Sequence, residues 1–396
     1  MSVLFNRDNR SLFIILCLSQ ITISFNLAAV AAVIPSISRE LNFPDVQVAR
    51  IIPHYLWAYG LGALMYAPLT RRFSINKILA SALFVFSLTS LYCGLTQSLN
   101  VLLIANLING CAAASVVPLG LMTIGRQIKK EMRGRAVGLF FSASFISSLV
   151  GVLASGVIHW SFLFIIPFIL GIITIILIYL LKVSQLSQCF SGRIDYVGAI
   201  RDRSVVKVFS VIFVMSLLYH GVYKWYGVYL DREYHLAQPA ISALILMTSI
   251  SGALGQNIGG AVTDFKGRIF AVEFGLCCLG LATCLLSAKF SVAVVAFILA
   301  LVSAGWTIAH NGVSTVLTDL PDRFRAELAS LNSSVRFLSG GLGFYLSGFL
   351  VQKSFSLNFF VNGLLVLILV LVARFALTVS SKEKSAADVL VKEISY

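Results

Sequence analysis

The chain has 396 residues, of which 58% fall in the AVILMFWYC set and only 12% are charged, with a mean hydropathy of +0.92. Soluble domains carry about 45–50% apolar and about 25% charged residues, so this composition cannot form a water-facing surface around one core. It excludes a soluble enzyme, a disordered chain and a disulfide-stapled secreted module. Its charge is one-sided, 30 Lys+Arg against 16 Asp+Glu for a net +14. A basic balance points to nucleic acid or to a membrane, and the apolar content selects the membrane.

About 20 apolar residues cross the bilayer core as a helix, and backbone groups in lipid must be satisfied within the segment. In chain order, six predicted spans are Leu12–Val33, Ile51–Thr70, Ile78–Gln97, Val101–Ile124, Ala136–Ile158 and Phe162–Leu181. After a polar interruption come Val208–Leu230, Ile241–Val262, Ile269–Leu286, Val292–Leu317, Leu328–Val351 and Leu357–Leu377. Barrel strands would be about ten residues long and strictly alternating, which these runs are not. The first run starts too deep for a cleaved signal and lacks a small-residue cleavage site, so it reads as a retained helix. The expected organisation is a six-helix bundle over 1–181, a cytoplasmic linker over 182–207, a second six-helix bundle over 208–378 and a cytoplasmic tail over 379–396.

Lys and Arg in short loops set the orientation of such a chain. One side collects most of them, including Arg71, Arg72, Lys77, Arg126, Lys129, Lys130, Arg133 and Arg135 in the first half. The other side holds only Arg39, Arg50, Arg232, Lys289 and Lys353. Both termini are therefore expected in the cytoplasm, and an even number of spans agrees in placing them on one side. The cysteines show no CxxC or Cys/His metal spacing and read as small packing residues.

The two halves repeat. Ala67–Lys77 (APLTRRFSINK) follows the second span and Gly260–Arg268 (GAVTDFKGR) the eighth, an offset of about 193 residues. An offset of about 192 residues pairs Arg133 with Arg325, Gly151 with Gly343, Ser155 with Ser347 and Gly156 with Gly348. A half-sequence repeated at a constant offset marks two-bundle transporters. At these residues the chain resembles the major facilitator superfamily over essentially its whole length. Gly260, Asp264, Gly267 and Arg268 fit that family's G-x-L-x-D-R-x-G-R loop. The resemblance implies that this loop, with Arg71 and Arg72 in the first copy, gates the cytoplasmic side through charge contacts. The first copy departs from the pattern, with Arg71 where the Asp is expected, Ser74 for Gly and Ile75 for Arg. The family's Arg-x-x-Gln-Gly on span four reads here as Asn106-Leu-Ile-Asn109-Gly110, and Val152 stands where antiporters carry a Pro on span five. A copied proton-antiport mechanism is therefore not implied.

Ionisable groups inside a membrane are costly and usually face a cavity. Only Glu273 among the acids falls within a predicted span, so a carboxylate proton relay is unsupported and histidine remains the candidate. Lys224 lies deep in span seven, four residues after His220 and beside Tyr223. Arg336 lies in span eleven, one turn from Asn332. Two readings stand for Lys224: it lines a pathway, or it snorkels to the interface. Trp306, His310 and Asn311 on span ten, Asn26 on span one and Asn106 with Asn109 on span four complete a polar set on the spans that line the cavity in the resembled family. The asparagines could equally glue helices together. His54, Tyr55, Trp57 and Tyr59 are expected at the outer interface.

The expected fold is an all-α integral membrane protein, twelve transmembrane helices in two pseudo-symmetric six-helix bundles. The expected function is secondary transport of a small molecule by alternating access, as a monomer in a bacterial inner membrane. No cofactor, metal, nucleic-acid partner or enzyme activity is expected, and a proton is the candidate coupling ion. Three readings remain: efflux of an amphipathic compound or metabolite, movement of an anionic metabolite on Lys224 and Arg336, and a non-transporting sensor or scaffold.

Overall fold

A computed structural model describes residues 7–128, 130–181, 194–317, 320 and 324–394. No strand occurs among the described residues. In chain order the helices are α1 (Arg7–Ser24), α2 (Ala29–Leu41), α3 (Asp45–Val48), α4 (Ile51–Leu69), α5 (Ile75–Leu95), α6 (Leu99–Ala113), α7 (Val116–Gln127), α8 (Lys130–Ala154) and α9 (Phe162–Leu181). They continue as α10 (Tyr196–Arg201), α11 (Arg203–Tyr223), α12 (Tyr226–Tyr234), α13 (Gln238–Lys266), α14 (Arg268–Leu285), α15 (Val292–Leu317), α16 (Arg325–Val351) and α17 (Phe355–Ile394). Eleven helical stretches among the described residues are long and apolar enough to cross a membrane. The second expected span is also a helix, α4, made less apolar by His54, Tyr55, Tyr59 and Tyr66. Side chains of Arg126, Lys130, Arg133, Arg135, Arg325 and the tail from 378, together with Lys129 and linker residues 182–193, lie outside what is described.

The solvation pattern is that of a protein solvated by lipid. Leu180, Leu371 and Phe375 are each more than 70% exposed, while Asn26, Asn106, Asn109, Thr123 and Ser216 are buried. In water this arrangement would leave large apolar patches in contact with solvent.

Contacts divide the chain into two compact units. The first holds Met1–Ile194, Lys224–Leu246 and Ala329–Tyr345; the second holds Asp195–Tyr223, Met247–Leu328 and Leu346–Tyr396. Three of the expected spans are each built from two helices. Span one breaks between α1 and α2, span four between α6 and α7, and span seven between α11 and α12. At the first break Ser147 of α8 donates to the Ile21 carbonyl at 2.7 Å, and Ser24 and Ser144 share a 2.6 Å hydrogen bond. A side chain inserted into the i→i−4 ladder is one recognised cause of a helix kink. Gly151 of α8 lies against the Phe25 carbonyl, where any Cβ would collide.

Pro35 inside α2 has no N–H to give the carbonyl four residues back, at Ala31. That carbonyl faces Gly227 of α12, and the Ala32 carbonyl accepts from Gln238 at 3.2 Å. The missing side chain at Gly227 is what lets α12 reach α2. Left-handed caps close both helices, Asn42 (φ 56°) after α2 and His235 (φ 51°) after α12.

In the second unit α14 packs on α15 and α17, and α11 packs on α17. Asn358 donates to the Gly221 carbonyl at 3.1 Å and Asn362 to the Asn358 carbonyl at 2.8 Å. Gly267 joins α13 to α14 at φ 89°, ψ 162°, a conformation essentially confined to glycine.

Gly227→Val is expected to lower the thermal unfolding midpoint by several degrees, corresponding to about 1–3 kcal/mol of overpacking. Gly138, with nothing within 4 Å of a built Cβ, is the control: Gly138→Ala should leave the midpoint unchanged or slightly raised. Equal midpoints for both variants in a detergent melt would contradict the close α2–α12 approach.

Candidate functional site

Two of these helix breaks meet at Lys224. Its side chain is 6% exposed, and its Nζ donates to the Leu27 carbonyl at 3.2 Å. That carbonyl lies in the turn between α1 and α2, where continuous helical bonding is interrupted. A cavity of about 30 Å³ opens here, lined by Asn26, Leu27, Val30, Ile51, Ile52, Tyr55, Leu56, Asn106 and Lys224. This is room for water rather than for a metabolite. None of the lining residues is a carboxylate, and among them the Asn26 and Asn106 amides and the Tyr55 hydroxyl are the neutral polar groups beside the ammonium.

Three residues of the expected set (Asn26, Asn106 and Lys224) come together at this cavity. Asn106 also donates to the Leu102 carbonyl at 3.2 Å. Asn109 does not line the cavity; its amide donates to Ser90 at 2.8 Å and ties α6 to α5. Tyr55 and Tyr59, expected at the interface, are buried instead, at 8% and 3% exposure. Tyr55 lines the cavity, and its hydroxyl is buried with no hydrogen-bond partner among the described residues. Tyr59 stacks on Phe337 of α16, ring centroids 3.9 Å apart, and interacts electrostatically with half-buried Arg336. The i,i+4 spacing of Tyr55 and Tyr59 places them on one face of α4, a pattern legible in the sequence but outweighed there by proximity to the span end.

In the second unit α11 and α15 build an aromatic stack. Tyr219 lies flat on Trp306, centroids 4.1 Å apart and planes 6° off parallel, and Tyr223 continues the stack at 5.3 Å from Tyr219. Trp306 stacks on His310 at 5.6 Å, and His220 meets the Trp306 ring edge-on at 5.8 Å. His220 Nδ1 is 2.8 Å from the Ser216 carbonyl, and His310 Nε2 is 3.5 Å from Ser314. Tyr219 is the member that the sequence reading left out of the site. Asn311 stands apart from the stack, its amide directed to the Gln256 carbonyl at 3.4 Å. Flat aromatic surfaces edged by imidazoles can hold a planar or amphipathic group while offering hydrogen bonds.

The loop residues are spread out. Arg71, Arg72 and Asp264 are exposed, and Asp264 forms no hydrogen bond or ion pair among the described residues. Arg268 begins α14 directly after Gly267. A buried carboxylate that sequence reading missed lies nearby in the chain: Glu327, 3% exposed in the first turn of α16, accepts the Asp195 backbone N–H at 2.7 Å. It anchors the start of α10, whose own N-cap is the Asp195 side chain accepting from Gly198.

At the end of the first unit away from the Arg-rich loops, two ion pairs cross the junction of α2, α3 and α12. Arg39 meets Asp231 at 2.8 Å and Arg232 meets Asp45 at 2.7 Å. Hydrogen bonds from Ser36 to Gln238 (2.9 Å) and between Ser155 and Ser242 (2.9 Å) extend the seam to α13. Trp225 stacks on Phe344 at 4.4 Å and Trp57 tilts against Tyr345 at 5.7 Å.

With this geometry in view, comparisons with known proteins place the chain. The sequence model for the Major Facilitator Superfamily matches residues 16–344. The uncharacterized MFS-type transporter Rv1250 of Mycobacterium tuberculosis is 31% identical over 159 residues, 39% of this chain and 28% of that protein. The chain thus spans less than a third of that relative's length. The probable L-galactonate transporter of Escherichia coli K12 is 23% identical over 356 residues, 81% of this chain and 78% of that one. Among solved structures, a bacterial homolog of the human lysosomal transporter Spinster, in an inward-facing and occupied conformation, superposes with a TM-score of 0.73 at 14% identity. It covers 94% of this chain and 96% of that chain, and the likeness is one of fold.

The buried Tyr55 hydroxyl gives a stability test. Leaving such a group without a partner costs about 1–3 kcal/mol, so Tyr55→Phe is expected to keep or raise the unfolding midpoint. A clear fall in the midpoint would mean that the hydroxyl is satisfied in the folded protein.

Proposed function

Because the chain belongs to the Major Facilitator Superfamily, whose members named above are multi-pass membrane transporters, we propose that it is a secondary transporter of a small organic anion, working by alternating access. The observation that carries this reading is Lys224, a cation buried beside a cavity with no carboxylate in its lining. Holding an ammonium out of water is expensive, and its retention at the edge of a cavity makes sense where an anionic ligand enters that cavity for part of the cycle. The Asn26 and Asn106 amides and the Tyr55 hydroxyl supply neutral donors for the same group. Arg336, next to Tyr59, is the second cation on the path. A relative aligned over most of both chains is a probable transporter of L-galactonate, a carboxylate.

In this reading the 30 Å³ cavity is the closed remnant of the pathway, and the Arg39–Asp231 and Arg232–Asp45 seam is the gate on the side away from the basic loops. The seam must part for the cavity to open there. The Lys/Arg distribution assigns that side to the exterior and both termini to the cytoplasm. His220 and His310 are the groups placed to couple transport to protons, since both border the Trp306 ring. The Trp306–Tyr219–Tyr223 stack favours a second reading, in which the substrate is an amphipathic compound and export is its direction.

Substrate-dependent flux in proteoliposomes made with Lys224→Met separates the two. Loss of its charge is expected to cut transport of a carboxylate substrate by about tenfold or more, the scale of one charge-assisted pair, in protein that still shows a cooperative unfolding transition. Trp306→Ala should weaken that substrate much less. Undiminished anion flux in Lys224→Met, with loss in Trp306→Ala, would instead select the amphipathic reading.

A further inference from the structure

A second concavity lies in the first unit, between α4, α5 and α6, away from Lys224. Its volume is about 410 Å³, and it is lined chiefly by Tyr66, Leu69, Phe73, Lys77, Val85 and Ile108. Phe73, Val85 and Ile108 are 51%, 39% and 40% exposed, so the groove opens on the surface of the helices rather than into their core. The Tyr66 hydroxyl is already engaged with the Cys111 carbonyl at 3.0 Å, which leaves Lys77 as the charged group on an otherwise largely apolar wall. A groove of this volume falls within the range of ligand sites, about 300–1,000 Å³, and its shape and chemistry are amphiphilic: a hydrocarbon trough with an ammonium at one end.

Lys77 does not act alone. The same loop carries Arg71 and Arg72, both exposed, and the stretch 51–95 contains no Asp or Glu. In the repeat copy of this loop the corresponding position is Asp264, so the first half has exchanged an acid for a base where the groove begins. A basic loop beside an apolar trough complements a ligand with an anionic head and hydrocarbon chains. We infer that this groove is a binding site for an anionic phospholipid, with an acyl chain along Leu69, Phe73, Val85 and Ile108 and the phosphate held by Lys77. The site is independent of the transport pathway: its lining shares no residue with the Lys224 cavity.

The test uses the full chain in detergent, titrated with phosphatidylglycerol or phosphatidylcholine of matched chains, read by native mass spectrometry and by the unfolding midpoint. Phosphatidylglycerol is expected to bind and to stabilise more than phosphatidylcholine. Lys77→Gln should weaken phosphatidylglycerol roughly fivefold, the worth of one basic residue against an anionic lipid, and Lys77→Arg should restore it. Ser81→Trp, which fills the groove from an exposed lining position, should abolish retention of the lipid. Glycerol 3-phosphate, the head without the chains, should give no shift. Equal binding of the two lipids, unchanged phosphatidylglycerol affinity in Lys77→Gln, or a shift reproduced by glycerol 3-phosphate would each overturn the assignment.

Discussion

The contact between Lys224 and the Leu27 carbonyl is the constraint around which the first unit is arranged. Both groups sit where a span gives up helical bonding, Leu27 between α1 and α2 and Lys224 between α11 and α12. In hydrocarbon, each carbonyl released by a break must find another donor. Here the donor is an ammonium from the second half of the chain, so the two irregularities satisfy one another. The 3.2 Å bond also fixes which residues border the cavity, because Asn26 is in the same turn as Leu27 and α4 supplies Tyr55 across from them.

The surroundings explain why that contact can exist at all. Gly227 opposite the Ala31 carbonyl and Gly151 opposite the Phe25 carbonyl bring backbones together on both sides of the first break. Pro35 leaves Ala31 without its usual donor, and α12 approaches closely at that carbonyl. Around this buried centre the Arg39–Asp231 and Arg232–Asp45 pairs sit at more exposed positions. Exposed pairs contribute little stability, about 0–1 kcal/mol each, and so can break without a large barrier. A tight, small-residue seam rimmed by weak ion pairs is the mechanical form expected of a gate that opens and closes.

Most of the architecture was legible in the sequence, because runs of about 20 apolar residues have only one stable form in a bilayer. The spans, the repeat and the loop motif ending at Arg268 follow from that rule and from charge placement. Helix breaks were not legible. Phe25-Asn26-Leu27-Ala28 contains neither Gly nor Pro, and the α8 hydroxyls that bond beside this break are tertiary partners that no local pattern encodes. The candidate site was half legible. Intramembrane polarity singled out Lys224, Asn26, Asn106 and the aromatic pair of Tyr223 with Trp306. It could not separate Asn109, spent on Ser90, from Asn106, which lines the cavity. It also misplaced Tyr55 and Tyr59, because a position near a span end says nothing about which neighbour covers it. Glu327 escaped because the partner that its carboxylate accepts from, the Asp195 N–H, is more than a hundred residues away in the chain.

The two sets of candidate residues have different physical characters. The Lys224 cavity offers charge and amide donors in a space for a few atoms; the Tyr219–Trp306 stack offers flat apolar area with imidazole edges. The central claim is that the α2–α12 seam is a moving part. It is tested most directly by placing cysteines at Arg39 and Asp231 and joining them with a short, cleavable bifunctional thiol reagent in proteoliposomes. Substrate flux is expected to stop on cross-linking and to return when the linker is cleaved. Undiminished flux through the cross-linked protein would contradict the account.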